Sequence, residues 1–436
     1  MVVKSPRFTV LELLAKMDKQ AYSNLALDSA LEKSGFSDRD KGFASRLFYG
    51  VLERKLTLEY VLSLYSNKPL HKLDTSVLNV LKMGLYQLLY MDSVTDSAAV
   101  NESVILTKQC GKASAAGFVN AVLRNFIRGG KKISFPDDKI ERLGIEFSCG
   151  SDMVKKLCED YSFEQAEDLL KASVIPHKTF LRVNTLKITS DDLISEFEKI
   201  GIAVMACDIT DNCLEVDGLG GVERCELFQK GFFHVQDLSS QLCCKVLDPR
   251  SGDTVIDLCA APGGKSFAIT EMMDGSGRVI ACDIHLNRVN LIKNGAERLG
   301  LSIEAMKNDA KIFNDRFPKA DKVLCDVPCS GFGVIRSKPE LKYTDLKSIS
   351  RLPEVQYEIL CTASEYLKSG GELVYSTCTL NRDENDAVID RFIDEHRNFY
   401  PVDIMEEYGN SGHKATIFPK DFGCEGFFIS KIRKDD

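Results

Sequence analysis

Two short loops place cysteine side chains where they could take part in catalysis. The stretch CDVPCSGFG (Cys325 to Gly333) sets Asp326 and Cys329 after the predicted strand KVLCDV, and Cys378 follows the predicted strand GELVYST. If both strands belong to one parallel sheet, their carboxyl ends open at the same edge, so the two loops can meet. The sequence therefore predicts one pocket that contains a carboxylate and two thiols.

This set of groups suits methylation of an aromatic carbon such as C5 of a pyrimidine. That carbon becomes nucleophilic only when a thiolate adds to C6 and converts the ring to an enamine, after which the C5 proton and the thiol must leave. The reaction needs a nucleophilic thiolate, an acid beside ring nitrogen N3 and help with the elimination. Asp326, Cys329 and Cys378 have the right chemistry for these tasks. Residue chemistry alone leaves open which thiol attacks.

A cysteine becomes a useful nucleophile when a cation or a helix N-terminus lowers its pKa. The stretch TLNRDENDAVIDRF predicts a helix soon after Cys378, with Asp383 and Glu384 in its first turn. Lys265 is a second candidate, as a source of positive charge. Cys325 lies inside a predicted strand, so we expect it in the core.

The stretch TVIDLCAAPGGKS predicts a strand, a loop of small residues and a helix, which is the usual cofactor-binding arrangement of a doubly wound sheet. The next predicted strand ends at Asp283, whose carboxylate can accept both ribose hydroxyls, and Asp309 follows the third strand. The loop has neither Gly-x-Gly-x-x-Gly nor the Gly-x4-Gly that precedes a Walker lysine. These features together favour S-adenosylmethionine over NAD or ATP. The carboxylate of Asp283 alone does not discriminate, because a dinucleotide-binding enzyme would have the same carboxylate.

The elements that must position these groups divide the chain into four parts. Helical periodicity covers residues 1–130, and a helical connector covers residues 131–175. A β-α-β alternation predicts a small α+β region at residues 176–237, built from the strands TFLRVNTLKI and IAVMACDI around one helix. Residues 238–436 alternate short apolar strands with helices, which predicts an α/β domain with a doubly wound, mostly parallel sheet.

Composition indicates a soluble globular protein of two or three domains, with 44% hydrophobic and 28% charged residues among 436. No apolar run is long enough for a membrane span and no signal-peptide core is present, so we expect a cytoplasmic protein, by default a monomer. The 15 cysteines include no Cys-x-x-Cys pair, and no histidine lies at zinc-ligand spacing. We therefore expect free thiols and no metal site.

The formal net charge of −8 hides an uneven distribution. Residues 1–134 carry 19 Lys and Arg against 12 Asp and Glu, a balance of +7, which leaves 37 against 52, or −15, for the remainder. This distribution predicts local contact with a polyanion, or only a solvated basic face. The stretch FVNAVLRNFIR (118–128) predicts an amphipathic helix with Arg124 and Arg128 on one face, either as phosphate contacts or as a solvated edge.

Four ordered motifs resemble the RNA cytosine-C5 methyltransferases of the NOL/NOP2/Sun family. They are DLCAAPGGK, DVPCSGFGVIRSKPELKY, LPEVQYEILCTASEYLKSGGELVYSTCTL and DENDAVI, within a resemblance that covers residues 178–433. In the N-terminal part, LKMGLYQLLYM, AAVNESV and GFVNAVLRNFIR are similar to the NusB fold, an RNA-binding helical bundle. The combination is similar to bacterial enzymes that methylate C5 of a cytosine in 16S ribosomal RNA, with cytosine 967 as the family target.

The resemblance implies a multidomain chain with an all-α NusB-like bundle, a small α+β RRM-like insert and an α/β Rossmann-like class I methyltransferase domain. It implies 16S ribosomal RNA, or the assembling small subunit, as the partner and S-adenosylmethionine as the cofactor. The residues it implies around that cofactor are Cys259, Ala260, Ala261, Pro262, Gly263, Gly264, Lys265, Asp283, Asp309 and Asp326.

The same resemblance implies roles for individual catalytic residues. Cys378, in the Thr-Cys motif, is the nucleophile, and Cys329, in the Pro-Cys motif, serves product release. Asp326 is the partner of ring nitrogen N3, and Lys265 gives electrostatic support. Arg182, in the small insert, is a further candidate for RNA contact.

Small departures from the family pattern occur beside the Pro-Cys motif. Lys338 and Tyr343 stand in IRSKPELKY where many relatives have another polar residue and a tryptophan, which puts details of RNA contact in doubt. An alternative interpretation is a NusB-type transcription or ribosome-assembly factor with a vestigial methyltransferase domain. The intact set of Asp326, Cys329 and Cys378 favours an enzyme.

Overall fold

The computed structural model describes residues 5–17, 23–175, 178–217, 219, 221–404 and 412–435. The described chain forms two compact units. The first contains residues 1–174 together with Lys338–Thr344, and the second contains residues 175–337 and 345–436. The boundary predicted at residue 176 lies outside the described residues. No helix in the described ranges is long and apolar enough to cross a membrane.

The first unit is built from helices, many of which begin at a side-chain cap. Ser37, Asp74 and Thr95 each accept a backbone N–H of the following first turn, which satisfies donors that a helix N-terminus leaves free. The helices are α1 (Pro6–Met17), α2 (Ser23–Glu32), α3 (Asp38–Glu53), α4 (Lys55–Tyr65), α5 (Thr75–Tyr90), α6 (Asp96–Gln109), α7 (Ala116–Arg128), α8 (Lys139–Glu146), α9 (Ser151–Asp160) and α10 (Phe163–Ala172). Leucine, valine and phenylalanine side chains of α1 to α7 form one continuous core.

The segment Lys338–Thr344 joins this helical unit although the residues before and after it belong to the second unit. The Tyr343 hydroxyl donates to the Leu52 carbonyl at 2.6 Å and lies 2.9 Å from the Ser148 hydroxyl. Lys342 is fully buried, its ammonium donates to the Phe147 carbonyl, and burial lowers its pKa to about 8. Nothing in the sequence indicated that this segment would belong to the helical unit.

The small insert opens the second unit with an antiparallel sheet of strand order β2-β3-β1-β4. Its elements are β1 (Thr179–Val183), α11 (Ser190–Lys199), β2 (Val204–Ala206), β3 (Cys213–Val216), α12 (Glu226–Gln229) and β4 (Phe233–Val235). The sequence missed β3 and β4, and it extended β1 too far. The strand ends at Val183, and the buried side chain of the next residue, Asn184, donates to the carbonyls of Gly231 and Leu299, which are distant in the chain.

The rest of the second unit is the predicted doubly wound α/β domain, and strand order β10-β12-β9-β8-β5-β6-β7 confirms it. Strands β5 to β9 are mutually parallel, whereas β12 runs antiparallel to β9 and also pairs with β10 and β11. Its elements are α13 (Leu238–Leu247), β5 (Thr254–Asp257), α14 (Gly264–Met272), β6 (Arg278–Asp283), α15 (Leu286–Leu299), β7 (Glu304–Lys307), β8 (Ala320–Asp326), α16 (Leu346–Ile349), α17 (Leu352–Glu365), β9 (Leu367–Thr377), α18 (Asp386–Glu395), β10 (Phe399–Pro401), β11 (Lys414–Ile417), α19 (Pro419–Phe422) and β12 (Phe427–Lys434).

The chain reverses its direction of winding between β5 and β8. The carboxyl ends of these two neighbouring strands therefore border the crevice in which such sheets bind ligands. The cofactor loop follows β5, the Pro-Cys loop follows β8, and the Thr-Cys loop follows β9. All three predicted loops thus open at one edge.

Candidate active site

The loop after β5 has the backbone shape required for close approach of a ligand. Gly263 has φ +114°, and a Cβ atom there would lie 2.4 Å from the Phe267 ring, so only glycine fits. A Cβ at Gly264 would meet nothing nearer than the Gln236 side chain, at 3.8 Å. The loop is held to the sheet because the Ala260 N–H donates to the Cys282 carbonyl at 2.8 Å.

The carboxylate at the end of β6 is buried and held in place. Asp283 is 3% exposed, and it accepts the His285 N–H and pairs with the Arg288 guanidinium at 2.9 Å. Arg288 also donates to the Ala261 carbonyl, so it joins the cofactor loop to the second strand. Sequence reasoning missed Arg288, because an arginine early in a helix has no distinctive pattern. Asp309 follows β7 and accepts the Lys311 N–H.

Asp326 and Lys265 form an ion pair between the Pro-Cys loop and the cofactor helix α14. The Lys265 ammonium lies 2.7 Å from Asp326 Oδ2 and 3.2 Å from the Ser240 hydroxyl, while Ser376 donates to Asp326 Oδ1. Burial lowers the pKa of Lys265, but the charge and hydrogen bond of Asp326 together with the neighbouring Cys243 and Cys244 outweigh burial and raise the pKa well above the ordinary value. Lys265 is therefore protonated in the free enzyme, and its partner Asp326 is oriented from both sides.

The two predicted catalytic thiols meet. Cys329 Sγ and Cys378 Sγ lie 3.2 Å apart, and both loops leave neighbouring parallel strands. Close packing of the loops depends on Gly333, whose N–H donates to the Cys378 carbonyl and where a Cβ would lie 2.0 Å from the Gly426 carbonyl oxygen. The hydrogen bond with Cys378, followed by burial, raises the pKa of Cys329 far above its ordinary value. Of the two sulfurs, Cys329 therefore keeps its proton.

The Glu384 side chain connects the two cysteine loops through hydrogen bonds. Its carboxylate is fully buried and accepts the Ser330 N–H at 2.9 Å, the Gln356 amide at 2.8 Å and the Asn381 amide at 2.9 Å. The helix predicted after Cys378 is present as α18, but it begins only at Asp386, so the placement of Asp383 and Glu384 in its first turn is wrong. Hydrogen bonds to distant loops hold the intervening residues in turns.

Other predicted site residues have simpler positions. Cys325 is fully buried in β8, as expected of a core residue. Arg124 and Arg128 are exposed on α7, and Arg124 donates to Asn120. Arg182, in contrast, is 6% exposed and its guanidinium pairs with buried Glu271 at 3.4 Å. This burial argues against the RNA contact predicted for Arg182.

Three family models match successive parts of the chain. Residues 4–128 match the NusB family, residues 152–223 match the ferredoxin-like domain of RsmF/B-like methyltransferases, and residues 244–433 match the 16S rRNA methyltransferase RsmB/F model. These matches confirm the family resemblance and the fold class drawn from the sequence.

Curated relatives match over nearly the full length. The probable ribosomal RNA small subunit methyltransferase B of Bacillus subtilis is 40% identical, with 99% of each chain covered. The corresponding probable enzyme of Synechocystis is 31% identical over 95% of this chain and 96% of its own.

Solved structures share the fold. The crystal structure of PH0851 gives a TM-score of 0.84 at 24% identity and covers 98% of this chain and 99% of its own. NSun6 from Pyrococcus horikoshii with SFG gives a TM-score of 0.60 at 24% identity, covering 66% of this chain and 98% of its own. The chain is a methyltransferase and belongs to the RsmB/F family of 16S rRNA methyltransferases.

Proposed function

We propose that the protein transfers the methyl group of S-adenosylmethionine to C5 of a cytosine in 16S ribosomal RNA, through a covalent bond between Cys378 and C6. The observation that carries the proposal is the 3.2 Å approach of the Cys329 and Cys378 sulfurs at the sheet edge that also holds the Asp326–Lys265 pair. The relatives' printed names support ribosomal RNA as the substrate, and the proposal places the reaction in the cytoplasm.

The residues around the first loop fit S-adenosylmethionine. The open side of Gly264 lets a ligand approach the backbone, and Asp283 offers buried carboxylate oxygens to ribose hydroxyls. Asp309 supplies a second acceptor at the end of the next strand. When bound, S-adenosylmethionine supplies a methyl electrophile on a sulfonium centre. The solved structure of NSun6 with SFG, a structural neighbour, supports this choice of ligand.

Cys378 is the better candidate for the attacking sulfur. The hydrogen bond with Cys378 and burial raise the pKa of Cys329, which makes Cys329 the poorer source of a thiolate. The Cys378 thiolate then adds to C6, and the electron pair of the C5–C6 bond becomes available at C5 for attack on the methyl group. The negative charge that the addition pushes into the ring collects at N3.

Asp326 and Lys265 neutralise that negative charge by supplying a proton. Lys265 keeps its proton in the free enzyme and lies 2.7 Å from Asp326, so Asp326 can relay a proton from Lys265 to N3 as the sulfur adds. Ser376 and Ser240 fix the carboxylate and the ammonium, which keeps this pair aligned before the substrate arrives.

Cys329 completes the cycle. Once Cys378 is bonded to C6, it no longer forms the hydrogen bond that is the main cause of the raised Cys329 pKa. Cys329 can then lose its proton to solvent and, as a thiolate, accept the proton of C5, directly or through a water. The electrons of the C5–H bond re-form the C5–C6 double bond, the Cys378 thiolate leaves, and N3 returns its proton through Asp326 to Lys265.

The proposal is tested with unmodified 16S RNA and labelled methyl donor. Label should reach C5 of one cytosine, with cytosine 967 as the expected position; label on an amino group or on uracil would contradict it. On a denaturing gel, Cys329→Ala should accumulate a covalent RNA adduct and Cys378→Ala should form none. The opposite pattern would exchange the roles of the two cysteines.

A further inference from the structure

The helical unit contains a cavity of about 230 Å³ that the proposed reaction does not use. Residues of α1, α3, α4 and α5 line it together with the segment Lys338–Thr344, which is part of this unit. Leu14, Val51 and Leu52 give it apolar walls, and the ring of Tyr343 lies on another side. A space of this size and lining accommodates a planar ring with small polar substituents.

One polar group in the wall is buried without a partner. Asn79 on α5 is 3% exposed, it lines the cavity, and its Nδ2 has no hydrogen-bond partner. A buried amide donor that forms no bond destabilises the folded chain, so native proteins seldom keep one without a use. Asn79 thus indicates an acceptor that arrives with a ligand.

The Tyr343 ring is fixed before any ligand binds. Its hydroxyl donates to the Leu52 carbonyl at 2.6 Å and accepts the Lys55 N–H at 3.2 Å. The Lys55 ammonium lies 5.5 Å from the ring centroid. A ring held in this way is a ready stacking surface for a nucleobase.

The charges around the cavity decide between a base and a phosphate. Two ammonium groups line it, from Lys55 and Lys82, but Lys82 pairs with Glu59 at 2.9 Å. The remaining positive charge is matched by the Glu340 carboxylate, which also lines the cavity. With no net charge, the lining favours an uncharged base over a phosphate group, and carboxylate and amide together can bond an edge that has both an N–H and an acceptor.

We propose that this cavity binds an unpaired nucleobase of the substrate RNA. The inference rests on the proposed function for the identity of the nucleic acid, but it concerns a second site, outside the reaction. Glu340 and Tyr343 follow the Pro-Cys loop within fourteen residues of Cys329. A base bound in the cavity therefore contacts the stretch of chain that continues from a catalytic loop.

The test uses the full chain and the isosteric variant Asn79→Leu, with Asn101→Leu, an exposed asparagine of the same unit, as the matched control. Binding of a 16S RNA fragment is followed by fluorescence anisotropy. Asn79→Leu should weaken RNA binding about tenfold or more and leave the binding of S-adenosylhomocysteine unchanged. Because the substitution removes an unbonded buried donor, Tm should stay equal or rise. An unchanged RNA Kd, or a lower Tm that shows a purely structural role, would overturn the inference.

Photo-cross-linking gives the second measurement. RNA that carries 4-thiouridine or 5-iodocytosine in its unpaired positions should cross-link to the peptide that contains Tyr343 in the unsubstituted chain, and less in Asn79→Leu. Absence of this cross-link would refute an RNA base as the occupant. Binding of free AMP, GMP, CMP or UMP to the cavity by a chain that gives no cross-link to RNA would refute it as well. Both measurements detect RNA binding and do not depend on catalysis. If the chain bound RNA in the cavity but did not methylate cytosine, the proposed function would be refuted and this inference would be supported.

Discussion

Replacement of Glu384 by glutamine should disturb the active site without touching either thiol. The buried carboxylate accepts three hydrogen bonds, from the Ser330 N–H and from the side-chain amides of Gln356 and Asn381. Glutamine keeps the shape but replaces one oxygen by an NH2 group, so one acceptor position becomes a donor that faces another donor. Rotation of Gln356 could relieve this contact only by breaking its bond to the Pro328 carbonyl.

The cost can be worked from the contacts. One charge-assisted hydrogen bond is worth about 1.5–3 kcal/mol, and a donor left unbonded adds to the loss, so Glu384→Gln should destabilise by about 3 kcal/mol. For a domain of this size that corresponds to a Tm lower by about 6–12 °C. Because Ser330 adjoins Cys329, loop displacement should also lower kcat, by about 100-fold for a shift near 1 Å.

The assay compares thermal unfolding and steady-state methyl transfer of Glu384→Gln with those of Glu358→Gln. Glu358 lies on α17 and is half exposed, so its replacement should change stability by less than about 0.5 kcal/mol. If Glu384→Gln kept both the Tm and the kcat of the unsubstituted protein, the three hydrogen bonds would not position the cysteine loops as argued.

Three further predictions follow from the charges. Lys265→Gln should lower kcat about 100-fold or more, because the Asp326 relay loses its proton source, while RNA affinity in a filter-binding assay stays within about twofold; wild-type kcat would refute the relay. Burial raises the pKa of Glu271 from 4.5 to about 8, so the folded state holds a proton that the unfolded state has lost, and stability should fall as pH rises from about 4.5 to 8; unfolding scans should show a smaller fall in Glu271→Gln, and an unchanged fall would contradict the assignment. If Arg124 and Arg128 contact phosphates, their joint replacement by glutamine should reduce the slope of log affinity against log salt by about 1.4–1.8; an unchanged slope would indicate a solvated edge.

The sequence predicted the convergence of the candidate site residues correctly because that geometry follows from topology. Parallel strands bring the residues after their carboxyl ends to one edge, so Asp326, Cys329 and Cys378 could be placed together without coordinates. Periodicity likewise predicted the helices of the first unit and the parallel strands of the large sheet, but it did not predict β10, β11 and β12. The different roles of the two thiols rest on the family motifs and stay a prediction.

The errors arose where hydrogen bonds between distant residues override local pattern. The helix predicted soon after Cys378 begins later than expected, at Asp386, because the Glu384 side chain bonds Ser330 and Gln356 and holds the preceding residues in turns. Arginine side chains are usually exposed, yet Glu271, 89 residues away in the chain, pairs with Arg182 in the interior. No single-sequence pattern records such partners.

The placement of Lys338–Thr344 in the helical unit also affects the order in which the chain can fold. During synthesis residues 1–174 emerge first, but the last piece of their unit emerges only after 163 further residues, 175–337. Until then the carbonyl of Leu52 and the hydroxyl of Ser148 lack their partner Tyr343. The first unit is therefore completed only after 163 residues of the second have been made, so a gene truncated at residue 174 does not encode the first unit in full, and one that begins at residue 175 encodes the second unit together with a stray piece of the first.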